Sequence, residues 1–228
     1  GYGMMISGTR SAMLVALMGY ILFTLLSKSW KYFSIALGVV VFSICFFKFT
    51  TLGESNRYIH RMRTAFNPDD ASLQVRIQNQ KAIKAYMKEA PWGIGIGRDG
   101  SNIPVTNKYW IVSITPPDSS LVYIWIRTGI IGLIIFLSVT ISLILFESYI
   151  VMFKIKDKEL RGLLTAFTCA AACMLVAGYG NNILTQYPNS LLFFGAQALV
   201  FMGPYFDKQI TEEKEKEKGQ KQIANQNE

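Results

Sequence analysis

GIIGLIIFLSVTISLILFESYIVMF, residues 129–153, decides the fold class: a long apolar run broken by one acidic residue, Glu147. A bilayer core about 30 Å thick takes roughly 20 mostly apolar residues of helix to cross. This stretch therefore reads as a membrane span. Four more segments qualify by the same criterion, at roughly 11–27, 32–49, 162–178 and 190–206, the last with Pro204 near its end. The apolar piece 121–126 lies too close to Gly129 to be a separate span. Across the 228 residues the hydrophobic fraction is 51% and the mean hydropathy is +0.28, more apolar than an ordinary soluble domain. The fold class expected is all-α, a polytopic integral membrane protein with about five transmembrane helices.

Charge sets the expected orientation. The short connections 28–31 and 154–161, with the tail from Lys208 onward, hold 11 of the 23 Lys and Arg residues. The positive-inside rule places them in the cytoplasm. Residues 50–120 then form a periplasmic or external loop, and 179–189 a small external patch. Residues 1–206 are expected to make up the membrane domain. The tail, 207–228, alternates Glu and Lys and reads as a cytoplasmic, partly disordered extension, or as a short helical continuation of the last span. The chain opens at Gly1 without a charged n-region or a small-residue cleavage site, and is expected to be the C-terminal part of a longer membrane protein.

The long loop contains two kinds of segment. Residues 50–72 carry a basic cluster, Arg57, His60, Arg61 and Arg63, ahead of a turn-like Asn67-Pro68-Asp69-Asp70. Residues 73–90 read as an amphipathic helix, because Val75, Ala82, Ile83, Tyr86, Met87 and Ala90 fall on one stripe at helical spacing. Arg76 falls inside that stripe, whereas Lys81, Lys84 and Lys88 lie opposite. A guanidinium on an apolar stripe must snorkel, pair with a carboxylate or meet an anion. Pro91 ends the helix, and Pro91-Trp92-Gly93-Ile94-Gly95-Ile96-Gly97 follows as an irregular segment. Those glycines do not match a dinucleotide fingerprint, which needs a strand before it and a helix opened by its third glycine. They suit a backbone that turns and approaches another element closely.

Several other chemistries find little support. His60 is the one histidine, so no multi-histidine metal site can be assembled, and flanked by Arg57, Arg61 and Arg63 it reads as part of a basic patch. Asp69-Asp70 is a weak metal signal without further oxygen ligands and reads better as a turn. Cys45, Cys169 and Cys173 all fall in apolar spans, where cysteine packs as a small hydrophobe. No metal and no cofactor are expected.

Three pieces together resemble the O-antigen ligase and polymerase family, membrane glycosyltransferases that move glycans from an undecaprenyl diphosphate carrier. They are Ser7-Gly8-Thr9-Arg10 entering an apolar helix, Arg76 in a helix running to Ala90-Pro91-Trp92-Gly93-Ile94-Gly95-Ile96-Gly97, and Pro116-Pro117-Asp118-Ser119-Ser120 ahead of Arg127-Thr128-Gly129-Ile130-Ile131-Gly132. The resemblance covers 7–132. Ligases of the family carry a histidine eleven residues before the first glycine of the Gly-x-x-Gly element, where this chain has Asp118. That departure favours a polysaccharide polymerase over a ligase acting on lipid A core.

The resemblance implies an inverting, metal-independent enzyme in a bacterial inner membrane, active on the periplasmic side. Its partners would be the bilayer, an undecaprenyl diphosphate-linked glycan, an acceptor glycan and other polysaccharide-assembly proteins, with no nucleic acid. Arg10 and Arg76 would hold the diphosphate, since the guanidinium fork donates two parallel hydrogen bonds to phosphate oxygens and stays charged. Asp118 would take the acceptor hydroxyl proton as general base. A capping role for Asp118, at the start of a helix beginning near Ser119, is the alternative. A transporter or flippase binding a lipid-linked or anionic substrate is the rival of another class, for which internal repeat symmetry would be the signature.

Overall fold

The computed structural model describes residues 10–27, 30–50, 71–97 and 103–226, which are helical with no strand among them. The helices are α1 (Arg10–Leu26), α2 (Trp30–Phe49), α3 (Ala71–Met87), α4 (Trp110–Ile114), α5 (Ser120–Phe153), α6 (Lys158–Gly180), α7 (Asn189–Phe201) and α8 (Gly203–Gln226). Helices α5, α6 and α7 pack on one another, α1 lies along α6, α2 lies on α1, and α3 and α4 pack near the start of α5.

Two of these helices, α5 and α6, are long and apolar enough to cross a membrane, and α1, α2 and α7 contain shorter apolar stretches. Their outward side chains suit a lipid environment, because Ile134, Ile135, Leu145, Phe146, Leu191 and Leu192 are all exposed. The apolar piece 121–126 belongs to α5 itself, which begins at Ser120 and bends at Gly129. The last helix pair divides at Met202, and Pro204 falls in the first turn of α8, where its missing N–H costs nothing.

The tail takes the helical continuation rather than the disordered extension, with α8 running to Gln226. Lys208 and Glu212 pair one turn apart at 3.8 Å, and Lys214 reaches across to Asp157. The buried Asp207 carboxylate accepts the Lys156 N–H at 3.1 Å and the Asp157 N–H at 2.8 Å. It thereby ties α8 to the α5–α6 connection. Asp157 in turn caps α6, accepting the N–H groups of Glu159 and Leu160 at 3.1 and 3.0 Å. The Leu160 N–H bond, with Lys214 beside it, holds the Asp157 carboxyl below the usual range.

The bundle has three apolar knots. Ile150, Val151, Ile155, Leu164 and Val200 join α5, α6 and α7 near the α5–α6 connection. Ala171, Leu184 and Phe193 join α6 to the 181–188 connection and α7. Cys169 and Cys173 are buried; the Cys173 thiol donates to the Val15 carbonyl at 3.4 Å, where Gly19 lets α1 come close. The third knot gathers Ile83, Met87, Ala90, Ile94, Ile103, Val112 and Ile126, and fastens α3, the glycine segment and α4 to the first turns of α5. In α3, which ends at Met87, the stripe is narrower than its pattern implies: Ile83 and Met87 are buried and Tyr86 half-buried, with Ala90 buried just past the helix, but Val75 and Ala82 are exposed. The first turns of α3 extend past the knot. Lys81, Lys84 and Lys88 are solvent-facing.

Two serines join the start of α5 to the end of α6. The buried Ser119 caps α5 by accepting the Leu121 N–H and donates to the Gly178 carbonyl at 3.1 Å. Ser120 is fully buried; its hydroxyl donates to the Asn181 carbonyl at 3.1 Å and accepts the N–H groups of Ile183 and Leu184 at 2.8 and 3.0 Å. Ser120→Ala strands the buried Leu184 N–H and the half-buried Ile183 N–H and is expected to cost about 1–3 kcal/mol. The control is Ser148→Ala, whose hydroxyl bonds within its own helix to Ile144; it should stay within about 0.5 kcal/mol. Thermal unfolding of the two variants in detergent checks the difference.

Candidate functional site

The glycine segment and the first glycine of 129–132 interlock. At Gly129 α5 leaves helical geometry, with φ 70° and ψ −175°, a conformation nearly confined to glycine. The carbonyls of Ile126 and Arg127 would ordinarily accept from the N–H groups four residues on, across Gly129. The break deflects that turn. Ile94 N–H donates to the Ile126 carbonyl at 2.8 Å, and Gly95 N–H to the Arg127 carbonyl at 3.1 Å. A short strand-like contact from another part of the chain thus replaces two helical hydrogen bonds.

Approach this close leaves no room for side chains. A Cβ at Gly129 would lie 1.8 Å from the Pro91 carbonyl oxygen, and one at Gly93 would lie 2.4 Å from the Arg127 oxygen. Gly93, Gly95 and Gly97 all have positive φ, at 79°, 106° and 84°. Gly132 leaves space for the Thr128 side chain, whose hydroxyl donates back to the Ile124 carbonyl at 2.8 Å. The close approach expected of these glycines is therefore found, and its target is the break in α5.

Asp118 lies two residues before α5 in a left-handed conformation, φ 52°, which Asp and Asn tolerate better than other side-chain-bearing residues. It does not cap the helix; Ser119 does. The capping alternative for Asp118 is thereby removed. The half-buried carboxylate accepts from Asn79 Nδ2 at 3.3 Å, so α3 and the start of α5 meet at this residue.

Arg76 is half-buried one turn from Asn79 on α3. The hydrogen bond onto Asp118 thus comes from Asn79, a residue that sequence reasoning passed over. Asn79 precedes the buried Ile83 by one turn and so occupies the same face of α3. Arg10 is the first residue of α1, and its side chain lies outside the described residues, as do His60, Arg57, Arg61, Arg63, Asp69 and Asp70. Arg127, two turns into α5, places its guanidinium over the Tyr123 ring at 4.2 Å. Among the described residues no three His, Cys, Asp or Glu side chains come together as a metal site would need.

The arrangement offers a carboxylate fixed by backbone conformation and one amide donor, with a cation on the adjoining turn of α3. Such a set can orient a hydroxyl and take its proton, and can attract an anion nearby. Gly129→Ala should separate α5 from the glycine segment and cost at least about 2 kcal/mol, from a disfavoured φ and the clash with Pro91. At Gly162, in α6, a Cβ meets nothing within 4 Å. Gly162→Ala should be neutral or gain a few tenths of a kcal/mol. Thermal unfolding of both variants in detergent is the check.

A family model described as O-antigen ligase matches residues 1–137. No curated protein matches the chain, and no solved structure does.

Proposed function

Because the chain belongs to the O-antigen ligase family, a membrane family of glycan-transferring ligases and polymerases acting on lipid-linked glycans, we propose that it is a polysaccharide polymerase. Its donor is a glycan on undecaprenyl diphosphate and its acceptor a sugar hydroxyl. It works without a metal and inverts the anomeric centre, in the inner membrane of a bacterium with the site on the periplasmic side. The observation that carries the reading is Asp118, held at positive φ between two prolines and the capping Ser119 and hydrogen-bonded by Asn79.

The chemistry follows from charge. The acceptor oxygen forms a bond to the anomeric carbon while the bond from that carbon to the diphosphate oxygen breaks, leaving negative charge on the leaving group. Arg10 and Arg76 neutralise that charge, each able to present two donors to phosphate oxygens. Asp118 receives the proton that the acceptor hydroxyl gives up. Asn79 orients the carboxylate, so that one oxygen stays turned toward the acceptor.

The family description favours a second reading, a ligase that passes finished glycan to lipid A core. Asp118, at the place where the family's ligases carry histidine, supports polymerisation instead.

Asp118→Asn separates charge from conformation, because Asn tolerates the left-handed region and can still accept from Asn79. It should abolish chain extension while thermal stability stays within about 0.5 kcal/mol. Arg76→Lys should cut extension on the order of tenfold or more, since a point-charge ammonium does not reproduce bidentate phosphate binding. The readout is the length distribution of lipid-linked and surface glycans in cells carrying each variant. Single repeats with long chains missing mean a polymerase; full-length lipid-linked polymer that fails to attach means a ligase. Normal extension by Asp118→Asn would remove the base from the account.

A further inference from the structure

A cleft of about 590 Å³ opens between the end of α3 and the segment leading into α4. Tyr86, Glu89, Thr106, Asn107, Lys108 and Trp110 are prominent in its lining. We propose that this cleft is a binding subsite for uncharged sugar rings of the glycan chain, next to the transfer site. The inference rests on the glycan-transfer reading above and adds where the chain is held.

Three features argue for sugar rather than for the diphosphate or a lipid tail. Tyr86 and Trp110 pack against the apolar knot around Ile83 and Val112 and also line the cleft. Their rings are thus fixed in place, offering a flat apolar surface to the C–H face of a pyranose at little entropic cost. Around them stand groups suited to hydroxyls: the Thr106 hydroxyl, and an Asn107 amide whose Oδ1 accepts the Tyr109 N–H at 2.9 Å and so turns its NH2 group to donate.

The third feature is charge. Glu89 and Lys108 are the charged residues among the described lining, and they pair with each other. The Lys108 hydrogen bond holds the Glu89 carboxyl below the usual range. The cleft therefore carries no net charge with which to draw a diphosphate, and its ion pair, Thr106 hydroxyl and Asn107 amide suit hydroxyl groups better than an acyl chain. Tyr86 is seven residues past Asn79 on α3, about 10 Å along the helix axis at 1.5 Å per residue. That separation lets a chain of a few sugar rings lie between the Asp118 carboxylate and the aromatic pair.

The test uses the complete chain in lipid nanodiscs and, as probe, the oligosaccharide released by mild acid from the producing strain's own surface polysaccharide. Binding is followed by titration calorimetry. Trp110→Ala should weaken binding about fivefold to tenfold, the loss of one aromatic contact. The double variant Glu89→Ala with Lys108→Ala, at exposed positions that leave the apolar knot alone, should weaken it severalfold, and it decides the matter if Trp110→Ala does not fold. Inorganic diphosphate should not displace the oligosaccharide. Unchanged affinity in the double variant and in folded Trp110→Ala would overturn the proposal, and so would displacement by diphosphate. The transfer reading is judged separately: Asp118→Asn should still bind the oligosaccharide within about twofold while losing transfer, and normal transfer by it counts against that reading alone.

Discussion

Two hydrogen bonds hold the candidate site in place: those by which Ile94 and Gly95 take over the carbonyls that the break at Gly129 releases from α5. Backbone polar groups without partners are costly in an apolar setting, where water is not at hand to satisfy them. A break in an apolar helix is therefore tolerable only if another segment supplies donors. Here the donors come from the glycine segment, and because that segment directly follows α3, the same contact fixes where α3 ends. Asn79, Arg76 and the aromatic cleft are all placed relative to α5 by this one join.

The join also explains the residue types around it. Glycine at 129 answers both a disfavoured φ and the nearness of the Pro91 carbonyl, and Gly93 answers the nearness of Arg127. The apolar knot of Ile83, Met87, Ile94 and Ile126 gathers around the same contact. At the other end of the motif, Ser119 and Ser120 use their hydroxyls to tie the first turn of α5 to the end of α6. Asp118 is left between these two fastened elements, its backbone fixed from both sides. The proposed role as general base would gain from this fixing, because the reacting hydroxyl need not wait for the carboxylate to find its orientation.

Much of the architecture was legible in the sequence because bilayer-length apolar runs and helical stripes are local signals. The all-helical class, the amphipathic α3 and the close approach of the glycines could be read directly, whereas among the described residues two helices rather than five are long and apolar enough to cross a membrane, and the short α4 left no local signal. The partner of those glycines could not, since it depends on a contact between residues more than thirty positions apart. The alternative of a cap at Asp118 was off by one residue for a related reason: Asp118 and Ser119 both make good caps, and with Asp118 at positive φ the cap is Ser119. Asn79 was missed because a neutral amide on an amphipathic helix carries no distinctive pattern until its partner is known. The helical tail was underestimated because its anchor, Asp207, binds the α5–α6 connection fifty residues away.

Amide hydrogen exchange at Ile94 and Gly95, compared with the apolar stretch of α5, tests the join most directly. If those two N–H groups close the break, they should be protected to about the level of the α5 amides near Ile126, even though they belong to an irregular, glycine-rich segment. In Gly129→Ala that protection should fall together with the protection of the first turns of α5. Rapid exchange of Ile94 and Gly95 in the unaltered protein, with α5 itself fully protected, would mean that the glycine segment does not hold the broken helix and that the site is not organised by it.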